Sequence, residues 1–306
     1  MQVGFVILSN GSRDQLQRLI SALNREYGRP PIACHHDFGQ SPFAKEGFEE
    51  NVFFVEPYVN TGWAKWSLVQ ATLEAISLLY SKAEPEWFVL LSAADYPIMR
   101  GSEVKRMMFE SDCDAFLDAR PLDAANASCI VKGSQNPKLN HFNSADNRRI
   151  KRRFYKSREF WLPIIRLRPR LRLGRVTYRP PWEASHPYID WPCFYGDFWF
   201  CGNAKVAEIL MHPTNKHLEL RKHLSRRTQT DETYFSTVLL NEVSLTICLD
   251  NKRFAEWNGG GAHPMFLEEL QVSEMIASGA FFARKFRLGA ASLDKVDAVL
   301  AGKGRE

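Results

Sequence analysis

The chain has 306 residues, 45% of them hydrophobic, which suits one large α/β domain or two smaller ones around a substantial core. No apolar run approaches the ~20 residues that cross a bilayer, and the opening MQVGFVIL lacks the basic and long apolar regions of a signal peptide, so a cytoplasmic protein is expected. The formal charge of +5 is uneven: 148–179 holds 13 Lys or Arg against the single acid Glu159, a net +12 that leaves the remainder at −7. Such a block suits nucleic acid, an anionic membrane surface or an anionic substrate, and equally a solvated insertion. The six cysteines, Cys34, Cys113, Cys129, Cys193, Cys201 and Cys248, are scattered without a CxxC pair, so reduced thiols are expected rather than a zinc site or a disulfide framework.

In chain order, 3–8 reads as a strand and 14–23 as an amphipathic helix with Leu16, Leu19, Ile20 and Leu23 on one face. Short strands follow at 31–37 and 52–55, then a strong helix at 65–80. The run Trp87-Phe88-Val89-Leu90-Leu91 has no polar alternation and reads as a central strand covered on both faces. It ends on Ser92, Asp95, Tyr96 and Pro97, at the carboxyl end of a strand, where open α/β sheets bind ligands. A helix-capping turn is the competing reading. A helix at 102–110 and a strand at 114–117 complete the first half. In the second, YGDFWFCGNAKVAEIL is a strand entering a helix near Ala204, TQTDETYFSTVLLN is a helix with Thr230 as its cap, 244–249 is a strand, and the Gly-rich WNGGGAHP leads to the last helices. Strands alternating with helices predict an α/β fold, a mixed and mostly parallel sheet with helices on both faces, as a single domain over 1–306 carrying a basic insertion at about 141–185.

Phosphate-loop, dinucleotide-binding and zincin motifs are missing. An Asp-x-Asp after a strand would hold Mg²⁺ or Mn²⁺ beneath a nucleotide diphosphate, but Asp112-Cys113-Asp114 precedes its strand and reads as a loop. Asp231 and Glu232 fall in a helix's first turn, where the dipole favours carboxylates. Arg284 and Lys285 lie among aromatics in FFARKF, where cations also snorkel off buried rings. Trp257 could be core or an exposed platform, and Asp37 could serve a turn.

Eight blocks, VGFVILSNGSRDQLQRLISAL, CHHD, GWAKWSLVQATLEAI, FVLLSAADYPI, GDFWFCGNAKVAEIL, TDETYFSTVLLN, KRFAEW and FFARKF, resemble in order the core-2/I-branching beta-1,6-N-acetylglucosaminyltransferase family (glycosyltransferase family 14, with the peptide O-xylosyltransferases), as a bacterial-type member. The resemblance spans about 3–286 and implies a GT-A-like fold and an inverting, metal-independent glycosyltransferase without cofactor. It would move GlcNAc or a xylose-like sugar from a UDP-sugar to a hydroxyl of a glycan or other acceptor, anionic or membrane-associated, with the protein at most peripheral at the inner face of the membrane. Carried over, Glu232 is the base. Lys285 is the leaving-group cation, with Arg284, Arg253, Asp37, Ser92 and Asp95 as further donor-binding residues, and Trp257, Asp231 and Trp199 face the acceptor. The family's second diphosphate cation, an arginine, has no clear counterpart, so His263 or Arg253 would have to substitute. Two alternatives stand beside this reading: a nucleic-acid or anionic-surface binder using the basic block with Phe154, Tyr155, Phe160 and Trp161, and a catalytically inactive glycan-binding member.

Overall fold

The computed structural model describes residues 1–121, 192–225, 227–257 and 263–302, together with the backbone of two short strands at 172–173 and 176–177. The elements in chain order are β1 (Val3–Ser9), α1 (Arg13–Tyr27), β2 (Ile32–His36), β3 (Val52–Phe54), α2 (Trp66–Lys82), β4 (Trp87–Ser92), β5 (Asp95–Pro97), α3 (Gly101–Phe109), β6 (Ala115–Phe116) and β7 (Arg120–Pro121). They continue as β8 (Arg172–Leu173), β9 (Val176–Thr177), β10 (Phe194–Tyr195), β11 (Cys201–Asn203), α4 (Ala204–Met211), α5 (Asn215–Leu224), α6 (Asp231–Asn241), β12 (Ile247–Cys248), β13 (Arg253–Ala255), α7 (Val272–Ala277), β14 (Phe282–Arg284) and α8 (Ala291–Leu300). Apart from the β8–β9 pairing, the basic block and Cys129 lie outside the described residues.

The main sheet has the order β12-β6-β11-β4-β1-β2-β3, with β11 alone running against its neighbours. It is the mixed, mostly parallel sheet expected. Successive residues of its central strands point to opposite faces. Phe5, Ile7, Trp87, Val89 and Leu91 pack under α1, α3, α7 and α8, whereas Val6, Leu8, Phe88 and Leu90 pack under α2, α4, α5 and α6. Each such side chain contributes roughly 1.5–3 kcal/mol on burial, which is why the run 87–91 tolerates no polar residue. Among the described residues, no helix is long and apolar enough to cross a membrane.

Several elements differ from the sequence reading. α1 extends to Tyr27, fixed by Ser12 accepting from Gln15 N and by Gly28 in the left-handed region (φ 72). The strands expected at 114–117 and 244–249 shrink to two residues each. Pro97 does not terminate the central strand. β4 stops at Ser92, and Asp95-Tyr96-Pro97 is a strand of a second, three-stranded sheet, β13-β14-β5. Nor do Ser92 or Asp95 cap a helix, since the residue preceding α3 is Arg100 and makes no side-chain cap bond. Tyr96 instead donates from its hydroxyl to Asp297 and accepts from Arg18, tying the second sheet to α1 and α8.

The segment after β10 is set by one close approach. β10 pairs with β7, and Gly196 follows against the backbone of 118–119, where a Cβ would lie 1.7 Å from Asp118 O. Its N–H donates to Glu232 O at 2.8 Å, docking this segment on the first turn of α6. Gly196→Ala should therefore force the backbone apart, costing about 1–3 kcal/mol and lowering the melting temperature, as read by thermal unfolding.

Candidate active site

The carboxyl end of β4, the end of β14 and the start of α6 meet around a buried ion pair. Antiparallel register sets Arg284 opposite Asp95. Asp95 is 1% exposed; one carboxylate oxygen accepts from Ser92 N, and the other lies 3.2 Å from Arg284 Nε. The Ser92 hydroxyl is buried beside this bond without a partner. The Arg284 guanidinium sits over the Trp199 ring, 4.5 Å from its centroid.

Asp197 completes the cluster. It is half-buried and accepts from Asn251 Nδ2 at 2.8 Å. Burial pushes its carboxyl up, Arg284 pulls it down, and Asp118 pushes it up again, for a net rise. Arg284 thus has Asp95 as its ion-pair partner, and its charge also acts on the Asp197 carboxyl. Lys285 differs: it is half-buried, and among the described residues its ammonium has no ion pair or hydrogen bond. Burial and then the neighbouring Arg284 lower its pKa, with Asp95 opposing. Its backbone is clamped between Met265 O and Leu267 N.

The other wall is the first turn of α6. Thr230 is the N-cap by position only: its backbone is helical, its hydroxyl is buried without a partner, and it makes no cap bond. Thr233 Oγ1 donates instead to the carbonyls of Gln229 and Thr230. Asp231 is nine-tenths buried, with one oxygen unpartnered. Burial pushes its carboxyl up to about 6; backbone N–H groups of the turn oppose and the Asp197 charge reinforces that rise. Glu232 is half-buried at the next position. The approach to α6 is fastened by Gln229 N to Ala64 O, next to Trp63, which is 61% exposed and meets His263 edge-on at 5.7 Å.

The structure therefore brings Ser92, Asp95, Arg284, Lys285, Trp199, Asp231 and Glu232 into one region, but two of the expected roles do not fit. Trp199 is 8% exposed with a face covered by Arg284, which makes it a support rather than an acceptor platform. Arg253 pairs in register with Phe282, two residues back from Arg284, and donates to Leu90 O and Asn251 O while lying over the Phe282 ring. It straps the second sheet to β4. Trp257, at 57% exposure, is not part of the core. Asp37 already accepts from Gly39 N, Gln40 N and Nε2, and Thr61 N and Oγ1, so a uridine would have to displace one of these. Burial works against its ionisation, yet the bonds from Thr61 and Gln40 hold its carboxyl below the usual carboxylate range. In the Asp112–Asp114 loop, Asp114 accepts from Asn203 Nδ2 and Thr246 N and so serves as a fastening. Asp197, Trp63 and the seat of His263 were not singled out from the sequence. An acid inside the aromatic run of YGDFWF was the available signal for the first.

The signature of the Core-2/I-Branching enzyme family matches residues 3–277. The beta-glucuronosyltransferase GlcAT14A of Arabidopsis thaliana is 27% identical over 293 residues, 94% of this chain and 59% of that protein. The beta-glucuronosyltransferase GlcAT14C of the same plant is 25% identical over 246 residues, 78% of this chain and 55% of its own. The chain thus spans a little over half the length of these relatives. Among solved structures, galactosyltransferase LgtC in complex with donor and acceptor sugar analogues aligns over 99% of this chain and 97% of that one, at 10% identity and a TM-score of 0.41. CMP:2-keto-3-deoxy-manno-octonic acid synthetase complexed with CTP aligns over 72% and 85%, at 10% identity and a TM-score of 0.31. Both scores are too low to carry weight.

Asp231 yields a stability prediction. With its carboxyl at about 6 when folded against about 4 when unfolded, the folded state holds the proton more tightly. Its contribution is full below pH ~4 and is lost as pH rises through about 6. Asp231→Asn should remove that loss, gaining about 1–3 kcal/mol over the unsubstituted protein at pH 7.5 and little at pH 4, as read by denaturant unfolding at the two pH values.

Proposed function

Because the chain belongs to the Core-2/I-Branching enzyme family, we propose that it is a glycosyltransferase that moves a sugar from a UDP-sugar to a hydroxyl of a glycan or other acceptor, with inversion and without a metal ion. The observation that carries this reading is the convergence of the Asp231–Glu232 turn and the Arg284–Lys285 strand end on Asp197. Direct displacement needs a base on one side of C1 and positive charge on the other. Glu232 takes the proton of the acceptor hydroxyl as its oxygen bonds to C1. The bond from C1 to the diphosphate breaks, its electron pair stays on the phosphate oxygen, and Lys285 stabilises that charge. Arg284, paired with Asp95, holds the strand end in place rather than meeting the donor. Asp231, whose carboxyl is pushed by burial up to about 6, orients the acceptor, and Trp257 offers it an apolar face.

The sugar is GlcNAc or xylose-like by family resemblance, and the names of the Arabidopsis relatives add glucuronic acid. Their beta products also support inversion, since the common UDP-sugars carry the alpha configuration. Thermal-shift measurements with UDP-GlcNAc, UDP-xylose and UDP-glucuronic acid separate the three, because a bound donor stabilises the fold by mass action.

Two experiments test the chemistry. With the donor so identified, Glu232→Gln should lower turnover about 10²–10⁴-fold with UDP affinity nearly unchanged, whereas Lys285→Ala should weaken UDP binding and lower kcat together. Near-normal turnover in the first, or normal UDP affinity in the second, rejects the corresponding role. Turnover should also survive EDTA. Loss on chelation with recovery on adding Mn²⁺ would assign the diphosphate to a metal instead.

A further inference from the structure

Among the described residues, four other than glycine take a positive φ: Arg29, Ala64, Gln229 and Lys252. Two of them sit in turns closed by near neighbours, Arg29 N donating to Asn24 O and Lys252 N to Asp250 Oδ1. The other two, Ala64 at φ 58 and Gln229 at φ 59, come from distant parts of the chain and bond to each other: Gln229 N donates to Ala64 O at 2.6 Å. Both are buried, and the residues beside them, Lys65 and Thr228, pair as an antiparallel bridge. A residue with a Cβ is disfavoured in the left-handed region, which glycine enters freely, and stays there only where its surroundings leave no alternative. Its well there is also narrow, so it fixes the backbone more tightly than glycine would.

The two ends of this clasp lead to different parts of the fold. Ala64 belongs to the loop that Thr61 anchors on the buried Asp37 carboxylate, and Gly62 N ties that loop to Ser67 Oγ in the first turn of α2. Gln229 leads directly into Thr230, Asp231 and Glu232. That turn lacks the bond that would ordinarily fix its entry, because the Thr230 hydroxyl caps nothing. Gln229 is instead held at both of its backbone groups, its N–H by Ala64 O and its carbonyl by Thr233 Oγ1 at 3.1 Å. Its side-chain oxygen is buried without a partner, a second local cost accepted at the same residue.

We infer that Ala64 and Gln229 are positioning residues for the transfer: their clasp fixes the first turn of α6 and so holds the Glu232 carboxylate at the acceptor oxygen whose proton it takes. The inference rests on the reading of Glu232 as the base. Gly196 N, from the β10–β11 connection, holds the same turn through Glu232 O, and the clasp sets its entry. Proton transfer needs base and hydroxyl within hydrogen-bond reach, and a displacement of about 1 Å can cost a factor near 10².

Replacing Ala64 and Gln229 one at a time by glycine tests this, since glycine keeps every backbone donor and acceptor but widens the well. Relief of the left-handed cost offsets the freedom that glycine adds to the unfolded chain, so Ala64→Gly should melt close to the unsubstituted protein. Hydrogen exchange of the amides from 229 to 235 should quicken in both variants, a readout that needs no substrate. UDP release from UDP-GlcNAc, UDP-xylose or UDP-glucuronic acid, with water as acceptor, should slow about 10–10²-fold in kcat at nearly unchanged UDP affinity. Gln229→Asn, whose side chain tolerates the left-handed region, should keep most of the rate. In a Glu232→Gln background Ala64→Gly should cost little more, because both changes act through one group. Unchanged exchange, normal kcat in both glycine variants, or an equal loss with and without Glu232 overturns the positioning role and leaves the donor reading intact. No UDP release by the unsubstituted protein from any of the three donors overturns the donor reading, and this inference with it, whatever the exchange rates.

Discussion

A guanidinium buried at 8% exposure cannot persist without partners, and Arg284 has three: Asp95 across the strand, Asp197 from the segment before β11, and the face of Trp199. Each comes from a different part of the chain. The requirement to neutralise one charge therefore fixes how the second sheet, the β10–β11 connection and the end of β4 lie against one another. Removing Asp95 would leave the buried guanidinium without its ion-pair partner, a larger penalty than the pair itself is worth. The same pairing explains why the adjacent Lys285, and not Arg284, is left with charge to offer a ligand.

A second chain of contacts supports the other wall. Asp37 collects the backbone of its own turn and of Thr61; the loop beyond Thr61 places Trp63 against His263 and hands Ala64 O to Gln229, just ahead of the carboxylates of α6. Residues with no common function by sequence position thus share one mechanical path. A change at Asp37 would be felt at the first turn of α6 through this loop even if no ligand ever touched it.

Much of the framework was legible because it is local. The unbroken apolar run 87–91 announced a strand covered on both faces, and the apolar face at 14–23 announced α1, though not its extension to Tyr27. Asp231 and Glu232 stood out as an acidic first turn. Illegible features depend on register between distant segments. Nothing near Asp95 says that it pairs with Arg284, and nothing near Arg253 says that its donors reach Leu90 O. Thr230 has the right residue type for a cap, yet Thr233 bonding back to the preceding carbonyls closes that turn without it. Trp199 was misread because cation–π cover over a ring leaves no trace in composition.

The tie between Tyr96, Arg18 and Asp297 has a consequence for biosynthesis. Arg18 and Asp297 are 279 residues apart, and Asp95 meets its partner only on β14. A ribosome-bound chain can complete β1 to β4 and their helices long before these contacts exist, but the ion pair under the site waits until β14 has emerged. Loop closure over such separations is slow compared with forming local helices. A growing chain would therefore carry Asp95 without its counter-charge and Trp199 without its covering guanidinium until β14 is made, and this part of the molecule is where a chaperone would find exposed surface.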